Sequence, residues 1–111
     1  MSKKERIGIN MVKLETQDDQ ITAYIQGDID HHTASEIREE IDACVERVRP
    51  SILRLDFKDV TFMDSSGIGL VMGRYKLVRS MSGEVRITNS SSHIKRVMKL
   101  AGLDKLAEFE N

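Results

Sequence analysis

The sequence predicts a small α/β domain, in which a mixed sheet of four or five strands carries three or more helices on one face. Two observations support this prediction. Segments with strand-like alternation and segments with helical spacing of apolar residues succeed each other along the chain. A length of 111 residues also fits one such domain. We expect residues 1–8 to be a flexible N-terminus and residues 9–111 to form the domain.

The first patterned segments predict an antiparallel pair of strands. Val12 and Leu14 alternate with polar residues, and the alternation resumes over 21–26. The polar stretch 16–20 between them is typical of a hairpin turn. Gly27 marks the predicted end of the second strand.

The next segment predicts a long helix. Thr33 is followed three residues later by Glu36, which is a capping-box pattern. Apolar residues then continue at helical spacing, so we predict a helix over 33–48. Cys44 is the only cysteine and falls on this apolar stripe, so we expect a buried structural thiol.

A dense apolar run over 52–57 predicts a strand in the middle of the sheet. A second helix is predicted to begin near Ser65, with Arg74 on or near its solvent side. Gly69 and Gly73 lie one turn apart in that helix. Each glycine costs about 1 kcal/mol relative to alanine, so we expect a close approach of the helix to the sheet as compensation.

The last third of the chain continues the alternation of strand and helix. Residues 85–88 predict a further strand, and Ser91 or Ser92 is expected to cap a third helix that ends at Gly102. Residues 103–111 fit either a short edge strand or a short helix. Strands that alternate with helices imply right-handed crossovers and parallel central strands.

Composition and charge exclude several classes of function. The chain has 17 Lys and Arg against 18 Asp and Glu, a formal charge of -1. It therefore lacks the basic surplus of a nucleic-acid binder or of a polybasic membrane-surface protein. No apolar run is long enough to span a bilayer, and no secretory signal is apparent. With one cysteine, an internal disulfide is impossible, and we expect a cytoplasmic protein.

The strongest local signal is the run Asp64-Ser65-Ser66-Gly67 at a predicted strand-to-helix junction. Unpaired N–H groups at a helix N-terminus stabilise an anion, typically by about 0.3–1 kcal/mol, so a seryl phosphate would find donors there. Gly67 would permit the close approach of another backbone. The alternative is that Asp64 or Ser65 simply caps the helix. A hydrolase nucleophile is disfavoured, because Met63 stands where that motif needs glycine.

Asp28, Asp30, His31 and His32 form a second polar cluster. Carboxylates and imidazoles are metal ligands, and a small metal-dependent hydrolase built on the two histidines is one interpretation. Adjacent histidines seldom reach the same ion, however. Two alternatives remain: a loop in which Asp30 or Thr33 caps the first helix, and a surface that contacts a partner.

Three segments together resemble the anti-sigma factor antagonists of the STAS domain family. They are Gly27–Ala34, Phe62–Gly69 and Gly73–Lys76, and the resemblance extends over about residues 8–109. Within that family, the chain is most similar to the sporulation antagonists of the sigma-F system. A third possibility is a STAS module of another stress-signalling complex that switches partners.

The resemblance implies a binding module without catalysis, cofactor or metal. The unphosphorylated antagonist would bind an anti-sigma factor that is itself a serine kinase, and this would free the sigma factor. The kinase would phosphorylate Ser65, and a metal-dependent serine phosphatase would reverse the reaction. The expected partner contacts are Asp28, Asp30, His31, His32, Asp64, Ser65, Ser66, Gly67 and Arg74.

Overall fold

A computed structural model describes residues 11–110 of the chain. The predicted flexible segment 1–8 lies outside these residues. The elements in order are the strands and helices β1 Val12–Gln17, β2 Gln20–Ile29, α1 His31–Val48, β3 Ile52–Met63, α2 Ser65–Ser80, β4 Glu84–Thr88, α3 Ser92–Leu100, a 3-10 turn at Leu103–Lys105 and β5 Glu108–Glu110. This confirms the predicted mixed α/β fold with a sheet of five strands and three helices.

The sheet has the strand order β1-β2-β3-β4-β5. The first two strands are antiparallel, as predicted for the hairpin, and each later pair is parallel. Residues 103–111 were expected to form an edge strand or a helix, and the described part contains both a 3-10 turn and β5. Helix α1 crosses from β2 to β3, and α2 from β3 to β4, as parallel pairing requires.

The register of the central strands separates a buried face from a polar one. Ile21, Leu53 and Val85 are neighbours across the sheet, and all three are buried. One residue further along, Thr22, Arg54 and Arg86 are neighbours on the opposite face. The core is therefore a single aliphatic layer beneath the helices, closed by Ile37, Ile41, Val45, Val71, Val78, Ile94 and Met98.

The opposite face of the sheet is held by charged pairs. The Nε of Arg54 lies 3.1 Å from Glu110 Oε1, and the Nη1 of Arg86 lies 3.0 Å from Glu110 Oε2. Asp56 is buried on this face and accepts a hydrogen bond from Asn89 Nδ2 at 2.8 Å. The two arginine contacts with Glu110 fasten the short β5 strand to the middle of the sheet.

Strand β3 is twice as long as the predicted run 52–57. The second half was missed because the pairing of β3 with β2 shifts register twice. The shifts fall between Tyr24 and Gln26 and between Gly27 and Asp28. A shifted register breaks the two-residue alternation, so the sequence pattern beyond residue 57 no longer looks like a strand. Strand β2 likewise continues to Ile29 instead of ending at Gly27, whose φ of 84° fits the irregularity.

The helix ends agree with the predictions in most places. Helix α2 begins at Ser65, and Ser91 caps α3 through its Oγ, which accepts from Ile94 N at 3.2 Å. Ala101 is the C-cap of α3, one residue before the predicted cap Gly102, which follows it in a left-handed conformation. Helix α1 starts two residues earlier than predicted. Cys44 is buried, as predicted, and burial raises the pKa of its thiol.

The expected close approach of Gly69 and Gly73 to the sheet is wrong. A Cβ built on either glycine meets no atom of the described residues within 4 Å, because both positions face away from the core. Within residues 11–110, no helix combines the length and the apolar character needed to cross a bilayer.

Gly83 is a glycine that the packing of this fold requires, because backbone lies directly beside it. A Cβ at this buried position would lie 2.5 Å from the Pro50 carbonyl oxygen and 2.8 Å from Val78 Cγ1. We expect Gly83→Ala to lower the free energy of unfolding by about 1–3 kcal/mol through overpacking, measured by urea titration. Ser51→Ala, which changes an exposed neighbouring residue, is the control. Its free energy of unfolding should stay within about 0.5 kcal/mol of the wild-type value. An unchanged Gly83→Ala midpoint would contradict this packing.

Candidate functional site

The candidate site lies at the edge of the sheet where β2 and β3 end and where α1 and α2 begin. The last two residues of β2 pair with Phe62 and Met63 of β3. Immediately beyond, the Asp64 N–H donates to the Ile29 carbonyl at 3.1 Å. The carboxyl ends of parallel strands meet at one edge of a sheet, and here they bring both polar clusters of the sequence together.

A side-chain hydrogen bond joins the two clusters across these strands. Thr61 Oγ1 donates to Asp28 Oδ1 at 2.7 Å. Asp28 is exposed and also belongs to the loop before α1, because its carbonyl accepts from Thr33 Oγ1 at 2.8 Å. Asp28 therefore ties the end of β3 to the start of α1.

Asp64 is the N-cap of α2, which confirms one of the two capping alternatives. Its Oδ1 accepts from the Ser66 N–H at 2.8 Å, and its carbonyl accepts from the Gly67 N–H at 2.9 Å. Ser65 is consequently the first residue of the helix, and its side chain is exposed. Since the cap is supplied by the aspartate, the Ser65 hydroxyl is not needed to start the helix.

Gly67 is buried at the first turn of α2. A Cβ at this position would overlap Cγ and Sδ of Met63. The expectation that Gly67 admits another backbone is therefore wrong, because its close neighbour is a side chain. The absence of a side chain at Gly67 lets Met63 tuck under the helix and hold the turn between β3 and α2.

Asp30 caps α1, as one of the two capping alternatives for this loop predicted. The capping box is formed by Asp30 with Thr33, one turn before the predicted pair of Thr33 with Glu36. The Asp30 Oδ1 accepts from the N–H groups of His32 and Thr33, both at 2.9 Å. In return, the Asp30 N–H donates to Thr33 Oγ1 at 3.0 Å. The backbone hydrogen bond from Thr33 is the main cause that lowers the pKa of Asp30 below its ordinary value.

His31 and His32 are the first two residues of α1, and both are exposed. Neighbouring residues on a helix point in different directions, so the two imidazoles do not face one site. His32 Nε2 lies 4.0 Å from Glu36 Oε2, one turn along the helix. In the part of the chain that the structure describes, no three His, Cys, Asp or Glu side chains converge as a metal site would need.

The two segments that meet at this edge are acidic. Residues 26–37 and 59–73 contain no Lys or Arg. Their carboxylates are Asp28, Asp30, Glu36, Asp59 and Asp64. A charge added at Ser65 thus enters a region whose own side chains carry negative charge.

Arg74 does not lie on the solvent side of α2, and that prediction is wrong. The residue is 6% exposed, and its Nε lies 2.9 Å from Asp42 Oδ1 of α1. Burial lowers the pKa of Arg74 and raises that of Asp42, and in each case the attraction of the partner opposes the shift. Asp42 had no distinguishing signal in the sequence, because it is one of many acidic residues along α1.

Phe62 is a second residue that the pattern did not single out. It is 52% exposed at the end of β3, beside Asp28 of β2. An aromatic side chain left half in water at the edge of a polar site adds apolar surface to that site.

Comparison with known proteins agrees with this geometry. Residues 11–111 match the STAS domain. The chain belongs to the STAS domain family. An anti-sigma F factor antagonist of Paenibacillus polymyxa is 34% identical over 82 residues, which cover 74% of this chain and 70% of the relative. An anti-sigma-B factor antagonist of Listeria monocytogenes is 32% identical over 98 residues, covering 87% and 84%.

Solved structures of the anti-sigma factor antagonist SpoIIAA are also similar to this STAS domain. The unphosphorylated form has a TM-score of 0.78 and covers 90% of this chain and 88% of its own. The phosphorylated form, from Bacillus, has a TM-score of 0.72 and covers 90% and 91%. Both are 27% identical in sequence to this chain.

The capped carboxylate of Asp30 predicts a contribution to the acid stability of this domain. Because the pKa of Asp30 is lower in the folded state, its stabilisation is present above the ordinary value of about 3.9. That stabilisation is lost as the pH falls through the folded-state pKa. Asp30→Asn keeps an oxygen acceptor but no charge, so it should be less stable than the wild type near neutral pH.

The difference in free energy of unfolding between Asp30→Asn and the wild type should narrow as the pH falls below about 4. Urea titrations at several pH values across the acid range measure it. Asp18→Asn, in the hairpin turn between β1 and β2, is the matched control for removing a carboxylate. A gap between Asp30→Asn and wild type that stays constant across the acid range would contradict the assignment.

Proposed function

We propose that this STAS domain is an anti-sigma factor antagonist switched by phosphorylation of Ser65. In its unphosphorylated form it binds an anti-sigma factor serine kinase, and the bound sigma factor is released. The observation that carries the proposal is an exposed serine at the first position of α2, which the fold does not need as a cap. The names of the relatives, antagonists of anti-sigma F and anti-sigma-B factors, support the same role.

The physics of the switch follows from the surroundings of Ser65. A phosphate adds about -1.5 to -2 charges near neutral pH. Asp64 already accepts from the Ser66 and Gly67 N–H groups, which were the donors expected for a seryl phosphate. Because Ser65 is exposed and takes no part in the cap, the fold tolerates a phosphate on its hydroxyl. The carboxylates of the acidic segments repel the added phosphate charge. A partner surface that fits a serine hydroxyl must then accept a dianion. A loss of about 3–4 kcal/mol weakens binding several hundredfold.

This switch requires no refolding. SpoIIAA has been solved in unphosphorylated and phosphorylated forms, and this chain is similar to both over 90% of its length. Added charge and bulk at one exposed position are a sufficient cause for losing a partner.

The proposed contact surface surrounds Ser65 at the sheet edge. It consists of exposed and half-buried groups at the two helix N-termini, the backbone of the α2 turn, and the buried Arg74 side chain. Its proposed members are Asp28, Asp30, His31, His32, Asp64, Ser65, Ser66 and Gly67, with Arg74 further along α2. Gly67 is buried, so it acts by shaping the turn that presents Ser65.

The domain serves as the substrate in this cycle and performs no catalysis itself. The kinase transfers the phosphoryl group, and a metal-dependent serine phosphatase restores the hydroxyl. The relative from Listeria monocytogenes is named for sigma-B, which favours as a second candidate the same switch in another partner-switching complex. A pull-down that identifies the kinase distinguishes the two systems.

Variants of Ser65 test the switch. Ser65→Ala should bind the kinase about as tightly as the wild type and resist inactivation by ATP. Ser65→Asp should bind less tightly because it places a permanent negative charge at the start of α2. Full phosphorylation of Ser65 should weaken binding several hundredfold. Affinities can be measured by isothermal titration calorimetry, with mass mapping of the phosphorylated residue.

The matched control is Ser66→Ala, which removes the neighbouring hydroxyl and should still be phosphorylated at residue 65. Phosphate found on a residue other than Ser65 would refute the site. Equal affinities of Ser65→Asp, phosphorylated protein and wild type would refute the charge argument.

A further inference from the structure

A groove of about 230 Å³ runs between α1 and α2, away from the sheet. Its walls are small residues, Ala34 and Ser35 on α1 and Gly69 and Gly73 on α2. Two arginines also line it: Arg38, which is exposed, and Arg74, which is buried. The groove opens on the side of the domain where the described chain adds no further layer.

No packing contact in the described part of the chain requires the two glycines of the groove. Glycine is unfavourable in the interior of a helix, and a close packing partner is the usual reason to keep it. Among residues 11–110, Gly69 and Gly73 have no such partner, since a Cβ at either position meets no atom of that part of the chain within 4 Å. What they do provide is access, because another backbone can approach α2 closely at these two positions.

Arg74 is the second and independent sign of a ligand. Its side chain is 7% exposed and lines the groove, and its Nε faces Asp42. Its Nη1 has no hydrogen-bond partner among residues 11–110. A buried guanidinium nitrogen without a partner is costly, and an acidic group brought into the groove would offset that cost. Exposed Arg38 adds a second positive charge at the rim.

The groove is continuous with the site around Ser65. Helices α1 and α2 both begin at that edge of the sheet, and Ala34 and Gly69 lie within about one turn of His31 and Ser65. A partner seated on Ser65 therefore stands at the mouth of the groove. Its next segment can continue between the two helices as far as Arg74.

We propose that this groove binds a segment of the anti-sigma factor kinase that carries an Asp or Glu side chain, which pairs with Arg74 and Arg38. This inference rests on the proposed function and adds to it a second contact with opposite charge. The edge around Ser65 is acidic and the groove is basic, so the partner must be basic at one end of its contact and acidic at the other. That pattern fixes the orientation of the complex.

Replacement of the groove glycines by alanine separates binding from folding. Gly73→Ala and Gly69→Ala each remove an unfavourable helix glycine, so each should raise Tm, by about 4–8 °C for a domain of this size. The added methyl groups narrow the groove, and binding to the kinase should weaken at least about tenfold, which is about 1.4 kcal/mol. Lys76→Ala, on the exposed side of α2 and outside the groove, should bind as the wild type does.

Charge reversal at the rim tests the acidic partner. Arg38→Glu changes an exposed side chain, so the fold should be kept, and binding should fall at least about tenfold, with Arg38→Gln intermediate. Arg47→Glu, exposed near the other end of α1, is the matched control and should have little effect. The affinity lost in Arg38→Glu should shrink as salt is raised.

The outcomes distinguish this inference from the proposed function. If phosphorylated Ser65 loses binding while Gly73→Ala and Arg38→Glu bind as the wild type does, the groove proposal is wrong and the switch stands. A lower Tm in Gly73→Ala would show that the fold needs the glycine, which also overturns the proposal. If the wild type binds no anti-sigma factor kinase, both fail.

Discussion

The parallel pairing of β2 with β3 is the constraint on which the site depends. It carries both strands past the core to the same edge, where the Asp64 N–H donates to the Ile29 carbonyl. Both helices that start at this edge inherit their position from that contact. The two register shifts in the pairing are part of the same device, because they let the strands continue after the regular alternation of buried side chains has ended.

Some side chains of the site hold the fold together, and the exposed Ser65 hydroxyl does not. Asp30 and Asp64 satisfy the N–H groups at the two helix starts, and Thr61 with Asp28 ties one strand end to the other. Those hydrogen bonds leave the Ser65 hydroxyl with no part in capping. A modification at Ser65 therefore changes the charge of the surface while the contacts that hold the surface remain in place. The proposed phosphorylation switch at Ser65 would therefore be reversible at low cost to folding.

The sequence was sufficient for the order of elements, the start of α2 and the identity of the two polar clusters, because these depend on local periodicity and capping chemistry. It failed where a long-range contact overrides the local pattern. The end of β3 depends on a register shift against β2, which no local rule contains. The cap of α1 was open between Asp30 and Thr33, and the structure gives it to Asp30, which Thr33 joins in a capping box.

The predictions for Arg74 and for the two helix glycines were also wrong, although each followed an ordinary local rule. An arginine in a helix is ordinarily exposed, and a glycine pair ordinarily marks close packing, yet here the arginine is buried against Asp42 and the glycines are open. Both departures fall on one groove. Local rules that fail together at one place indicate a constraint from outside the fold. The acidic edge around Ser65 and the basic groove behind it form one continuous surface with a negative and a positive end. The proposed phosphorylation would add charge to the end that is already negative and leave the other end unchanged.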